Sequence, residues 1–355
     1  MLSPAKLVLR LSVALLILAA VMAVCLLVGS QNISLEQALR GPTIDGVANI
    51  DYVILMHERL PRVLLASIVG AALACSGVVF QAILRNPLAD PYILGISSGA
   101  GLGAIIAILF SGTALFGSIA AYFAWLPAIP GVSSITLMAF VGAMLTVWLV
   151  WGIGQATGRQ HGAGLLLAGV VVNAFFSALI MFLSSIARAN QVQTTMIWLM
   201  GNMNVPGNML VLWVSGGIVL GGVTALLLLS NRLNILSFGS ADAQSLGVPI
   251  KQTCFLVFAC AALITSVAVS LSGLIGFVGL VVPHAVRLVA GPDHRQLIPL
   301  SAIIGAAFLV AADAVARVVV APAMLPVGVV TALVGGPFFL VLLIRYTKNI
   351  HWGRG

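Results

Sequence analysis

From Pro91 to Gly158 the chain runs for 68 residues without one Asp, Glu, Lys or Arg. No water-facing surface can be built from such a segment, since soluble domains carry about 25% charged residues. Over all 355 residues only 7% are charged while 61% are hydrophobic. Hydrocarbon is the medium that suits this sequence. A bilayer core is about 30 Å thick, so each spanning helix takes roughly 20 apolar residues. Backbone groups cannot stay unpaired in lipid, which leaves helical bundles or closed barrels. The apolar runs are continuous rather than alternating, which disfavours barrel strands. The sequence therefore predicts an all-α polytopic membrane protein. Ten spans fall near 11–29, 63–84, 92–110, 134–153, 164–186, 209–230, 252–272, 274–290, 298–316 and 327–345, within one membrane domain covering 1–355.

Segment 111–133 is apolar enough to suggest an eleventh span, but Pro127 and Pro130 break it. Charge argues for the even count. Lys6 and Arg10 precede the first span, and Arg345, Lys348 and Arg354 follow the last. Basic flanks stay in the cytoplasm, so both termini are expected inside. Ten spans then put Arg85, Arg159, Arg232, Lys251, Arg287 and Arg295 inside as well, leaving Arg40, Arg59, Arg62, Arg188 and Arg317 outside. The first apolar block is as long as a span and lacks a clean small-x-small site after it, so it reads as an uncleaved helix rather than a signal peptide.

The formal charge of +8 is thus a topology signal. Dense basic clusters with interleaved aromatics are missing, and nucleic acid is not an expected partner. There is no phosphate-binding Gly-x-x-x-x-Gly-Lys-Ser/Thr loop, no His-Glu-x-x-His and no Gly-x-Ser-x-Gly. The acids are scattered and mostly in loops, so paired-carboxylate catalysis is not expected. Cys25, Cys75, Cys254 and Cys260 lie inside spans without metal-ligand spacing, and they read as small core residues. Neither a metal site nor a cofactor is expected.

Two glycine-rich breaks stand out. One follows Arg85-Asn86-Pro87-Leu88 and runs from Gly95 to Gly103; the other is Gly273 to Gly279. They could be matching points of two inverted halves with interrupted helices beside a transport path. Alternatively, the glycines only let helices pack closely. Asn86, Pro87, Asp90 and Pro91 read as a capped, helix-breaking turn. His284, alone near the end of its span, reads as structural.

Three segments are the most specific: Arg59-Leu60-Pro61-Arg62 followed by QAILRNPLADPYILGISS from Gln81; SGLIGFVGLVVPH from Ser272 with Arg287 and Gly291-Pro292-Asp293-His294-Arg295; and Ala312 to Arg317 followed by LPVGVVTALVGGPFFLVLL from Leu325. Together they resemble the FecCD/BtuC-like permease subunits of bacterial ABC importers for iron–siderophores, haem and vitamin B12. The resemblance implies a ten-span permease of the inner membrane. Such a permease dimerises, binds two cytoplasmic ATP-binding subunits and receives a chelate from a substrate-binding protein. It also implies that Arg59, Arg62 and Arg317 form pockets for glutamates of the binding protein; guanidinium groups suit this because they bond carboxylates bidentately. On the residues alone they read rather as interfacial anchors, with Arg317 pairing to Asp313 at i, i+4.

Inside loop 231–251 carries Phe238 to Val248. Ser240 is placed to cap a short helix, Asp242 to favour its first turn and Gly247 to end it. The resemblance implies that this segment seats in the ATPase, with Gly239, Ala243, Leu246 and Gly247 matching the family pattern and Ser240 replacing its usual acid. Without the resemblance the loop reads as a connector. A rival of another class is an ion-coupled secondary transporter, which usually carries acids deep in the membrane; here the best candidate is Asp313, near a helix end. A membrane scaffold is the third class. Which chelate is carried is not written in 31–57 or 111–133.

Overall fold

The computed structural model describes residues 4–44, 47–111, 132–156, 161–203 and 208–352. Most of the doubtful segment 111–133, and Arg159 and Arg354, lie outside them. The described helices are α1 (Pro4–Leu27), α2 (Leu35–Leu39), α3 (Ile50–Ile83), α4 (Ile96–Phe110), α5 (Ser134–Ala156), α6 (His161–Ile186) and α7 (Ala189–Leu199). They continue with α8 (Met209–Leu228), α9 (Ser230–Phe238), α10 (Ser240–Ser245), α11 (Ile250–Ser272), α12 (Val278–Ala290), α13 (His294–Val318) and α14 (Val327–Trp352). A two-residue hairpin pairs Thr43–Ile44 with Val47–Ala48. Among the described residues, α1, α3, α5, α6, α8, α11 and α13 are long and apolar enough to cross a membrane. α4, α12 and the apolar part of α14 are shorter.

Three of the departures from the expected span bounds have a cause in the backbone. α12 starts at Val278, not 274, and its 13 residues reach only about 20 Å at 1.5 Å per residue. The preceding break holds Gly273 (φ +67°) and Phe277 (φ +69°) in left-handed backbone. Hydropathy overlooks this break because its residues are apolar. α4 is likewise short, because Pro91–Leu94 forms a 3₁₀ turn closed by Gly95 at φ +76°. α3 instead begins thirteen residues before the expected 63. Its π turn, Ile54–Arg59, ends two residues before Pro61, so the ring's missing N–H falls where the regular ladder is already interrupted. Residues 187–207, between the expected spans 164–186 and 209–230, hold α7, whose 11 residues are too few to register as a span.

α3 is the centre of the bundle. Leu65, Leu73 and Phe80 are fully buried along it, and Phe80 meets Phe258 of α11 edge-on at 5.9 Å. Two glycine pairs set its distance from its neighbours. A Cβ on Gly70 would lie 2.2 Å from the Gly305 carbonyl of α13. One on Gly77 would lie 1.9 Å from the Gly279 carbonyl of α12. Small residues at helix contacts are how helices associate in lipid, where hydrophobicity supplies no preference between protein and tails.

The bundle has two ends. Arg10, in the first turns of α1, donates to the Ala290 carbonyl (2.9 Å) and to Gln296 (2.7 Å); we call this the near end. The C-terminus of α1 meets the start of α3 and the end of α13 at the far end.

Candidate functional site

The two breaks in the bundle face each other. The Ile275 N–H donates to the Tyr92 hydroxyl, and Pro91 packs on Gly279. Asp90 caps the 3₁₀ turn by accepting from the Tyr92 N–H at 2.9 Å. Beside these breaks lies a cavity of about 1040 Å³ bounded by the 88–98 segment, α6, α7, the 274–277 break, α12 and α14. α6 turns a polar stripe of Asn173, Ser177 and Ser184 into it, and α7 adds Thr195. Met181, Met196, Phe277, Leu280 and Phe339 supply apolar wall. No Lys, Arg or His is among the described lining residues, and Asp90 is the only carboxylate.

Several of the lining hydroxyls spend their protons on their own helices. Ser98 donates to the Gly95 carbonyl at 3.0 Å, Ser184 to Ile180 at 2.7 Å and Thr195 to Gln191 at 2.8 Å. What remains toward the cavity is mostly lone pairs and methyl or thioether surface. Such a wall can wet or line a large solute without gripping it. Of the lining residues, the sequence reading singled out Asp90 as part of a turn and the Gly273–Gly279 break as a possible edge of a transport path; it missed the polar stripe of α6, although the i, i+4, i+11 spacing of Asn173, Ser177 and Ser184 in an apolar helix marks one face.

At the near end, α10 is a single short helix. Gly239, at φ +140°, occupies the N-cap position in place of the expected Ser240, which is the first helical residue. The change follows from the backbone: only glycine enters that conformation at low cost. Asp242 lies in the first turn as expected. The helix ends in a Schellman motif, with Gly247 N–H donating to Gln244 and Val248 N–H to Ala243. Ala243 is fully buried against Leu236, Val248 and Cys254, whereas Phe238 (76% exposed) and Leu246 (67% exposed) project outward. α9 is tied to the α12–α13 turn through Asn234. Its amide donates to Asp293 at 2.8 Å, and its carbonyl oxygen accepts from the His294 N–H at 2.9 Å. Arg295, Asn234 and the Arg295 N–H, all bonded to Asp293, hold its carboxyl down to about 2.

At the far end, Arg59, Arg62 and Arg317 line one cavity of about 180 Å³ together with Gly29, Glu58 and Met324. Asp313, only 1% exposed, joins two of them. It accepts from Arg62 Nε at 3.0 and 3.1 Å, and lies 3.2 Å from Arg317 Nε. The i, i+4 pair with Arg317 was readable in the sequence. The bond from Arg62, 251 residues away in the chain, was not.

A helical bundle with a large cavity beside two broken helices, its described lining carrying Asp90 and no cation, and with structured faces at both ends, suits a multi-pass membrane permease. The comparisons with known proteins agree. The FecCD transport family model matches residues 15–345. The cobalamin import system permease of Halobacterium salinarum is 42% identical over 314 residues, 87% of this chain and 78% of that one. The hemin transport system permease of Yersinia pestis is 40% identical over 298 residues, 83% of this chain and 84% of that one. A solved structure described as a metal-chelate type ABC transporter, in an inward-facing conformation, matches with a TM-score of 0.77 at 31% identity, over 94% of this chain and 98% of that one. This chain belongs to the FecCD transport family and is a membrane permease, the non-catalytic part of an ABC transporter.

Proposed function

We propose that two copies of this chain form the membrane core of an ATP-driven importer, and that a metal chelate crosses by alternating access through the 1040 Å³ cavity. The cavity carries this reading. Its volume suits a bulky cargo, and its described lining residues offer few free donors and no cation, so cargo can leave as readily as it enters. An iron–siderophore, haem or cobalamin is the class of cargo, in keeping with the hemin and cobalamin permeases it resembles. In this reading the chain lies in the inner membrane with both termini in the cytoplasm, supported by the eleven basic residues that the ten-span reading of the sequence assigns to the cytoplasmic side.

Two cytoplasmic ATP-binding subunits would seat on α10. Phe238 and Leu246 are exposed large apolar residues beside Asp242 on a segment whose opposite side is anchored by Ala243. Movement there passes through Asn234 to the α12–α13 turn, and α12 carries Leu280 of the cavity wall at its other end. A second cavity of about 350 Å³ between Ile83, Gly162, Leu233 and Ile250 leaves α9 room to shift. At the far end the arginine-lined cavity would receive carboxylates of a substrate-binding protein.

An ion-coupled carrier finds less support. The one carboxylate among the described cavity residues, Asp90, is committed to capping a turn, and Asp313 is committed to two arginines.

The test is uptake into proteoliposomes holding this chain, its ATP-binding subunits and its binding protein, with haemin, a ferric siderophore and cyanocobalamin as separate cargoes. ATP-dependent uptake of one of them is expected. Uptake driven by an ion gradient without the ATP-binding subunits would contradict the proposal.

A further inference from the structure

The break before α12 already holds glycine at three positions, Gly273, Gly276 and Gly279, yet its second left-handed residue is Phe277, at φ +69°. Glycine takes that backbone freely; a bulky aromatic residue there is strained. Such strain persists only where the surrounding contacts over-determine it. Phe277 is held in this way. Its N–H donates to the Asp90 carboxylate, which also caps the facing 3₁₀ turn. Two residues before it, the Ile275 N–H is held by the Tyr92 hydroxyl. Two residues after it, Gly279 lies under the Pro91 ring. The 88–98 segment therefore clamps the whole break.

The side chain has a slot of its own. On α14, a Cβ at Gly335 would come within 2.4 Å of Phe277 Cβ and 2.5 Å of its Cγ, so only glycine leaves room for the ring there. Phe339, four residues along and on the same face of α14, lines the cavity with Phe277 and Leu280. With the ring in its slot the cavity keeps its 1040 Å³. If the 88–98 segment draws away, the backbone at Phe277 relaxes to an ordinary φ. That redirects its Cβ and lifts the ring off Gly335 toward the cavity.

We infer that Phe277 is a stowed valve of the transport path: Gly335 holds its ring aside, Asp90 and Tyr92 are the positioning residues that keep it there, and parting of the two breaks drops the ring across the cavity. The slot and the clamp stand on their own geometry; the transport role rests on the importer reading above. A packed element with two discrete arrangements converts small shifts into switching. The shift has a source, because Phe277 heads α12, whose other end leads into the turn that Asn234 ties to α9.

The test uses the full transporter in proteoliposomes, cysteine-free except for Ser177→Cys on the cavity wall, labelled with maleimide in the absence of nucleotide. Gly335→Ala evicts the ring from its slot, and Tyr92→Phe releases the break. Each should slow labelling about fivefold or more by covering the cavity, and cut uptake per ATP hydrolysed about tenfold. Adding Phe277→Gly to either variant deletes the ring and suits the left-handed backbone, so labelling should return at least to the parent rate. A merely structural role predicts that labelling stays slow after that second substitution. That result, or unchanged labelling in both single variants, overturns the valve. Should Gly335→Ala not fold, Tyr92→Phe with and without Phe277→Gly decides alone. Absence of ATP-driven uptake by the parent would overturn the importer reading, while the labelling comparison would still decide whether the ring closes the cavity.

Discussion

α1 and α3 are both strongly apolar and both long enough to cross a bilayer, yet 6% of the most apolar stretch of α1 is buried against 78% of that of α3. The difference is in side-chain size and polar ends. α3 presents Gly70, Gly77 and a run of Ala, Ser and Cys, so neighbouring backbones come into contact along its length. α1 presents Leu, Val and Ile to lipid and is fixed by charge at its two tips, Arg10 at one and Arg59 with Arg317 at the other. Apolarity puts a helix in the membrane; it does not say whether protein or lipid will surround it.

The largest effect expected from this contrast is at Gly77. Gly77→Leu drives a side chain into the Gly279 backbone, and such overpacking costs about 3 kcal/mol or more. Loss of the monodisperse protein in size-exclusion chromatography is expected, and a well-behaved variant of wild-type melting temperature would break the account of α3. Next comes Arg10→Gln, which removes bonds to Ala290 and Gln296. A drop of about 1–3 kcal/mol follows from leaving the buried Gln296 side-chain oxygen unmet, since the Ala290 carbonyl keeps its bond from Gln296 Nε2, read as faster proteolysis or labelling at the start of α1.

A smaller effect concerns Asp293 at the same end. Its carboxyl is held at about 2, below the ordinary value of about 3.9. A lowered folded-state value stabilises above the unfolded one and is lost as pH falls through the folded one. Thermal melts of wild type and Asp293→Asn should therefore differ at pH 6 and converge between about pH 4 and 2; curves that stay parallel to pH 2 would remove this contribution. Least of all, Leu16→Ala, on the lipid face of α1 and 69% exposed, should shift stability by under about 0.5 kcal/mol. A large loss there would mean that α1 is packed against protein.

The same contrast explains what could be read from the sequence. Charge-free runs located the apolar helices, since hydropathy reports the medium directly. It could not report the breaks at 91–95 and 273–277, whose residues are as apolar as the helices they interrupt. Their signal was Pro91 and the glycines, legible as interruption but not as two breaks facing one another. α7 escaped because its Asn190, Gln191, Gln193 and two threonines look like a loop, although Thr195, Met196 and Leu199 wall the cavity. At the far end the three arginines are grouped as the motifs suggested, but sequence could not say which carbonyls they serve. That information lies in tertiary neighbours: Leu26 and Leu27 meet Arg59 only once α1 is laid against α3.

The account stands on the cavity between α6, α7 and α12 being open to one side of the membrane at a time. Ser177→Cys in a cysteine-free background, in the complete transporter, reports this through membrane-impermeant maleimide added to either side, without nucleotide and with trapped ATP. Labelling from a single side that switches when nucleotide is trapped is the predicted result. Labelling from the same side in both states, or from neither, would contradict it.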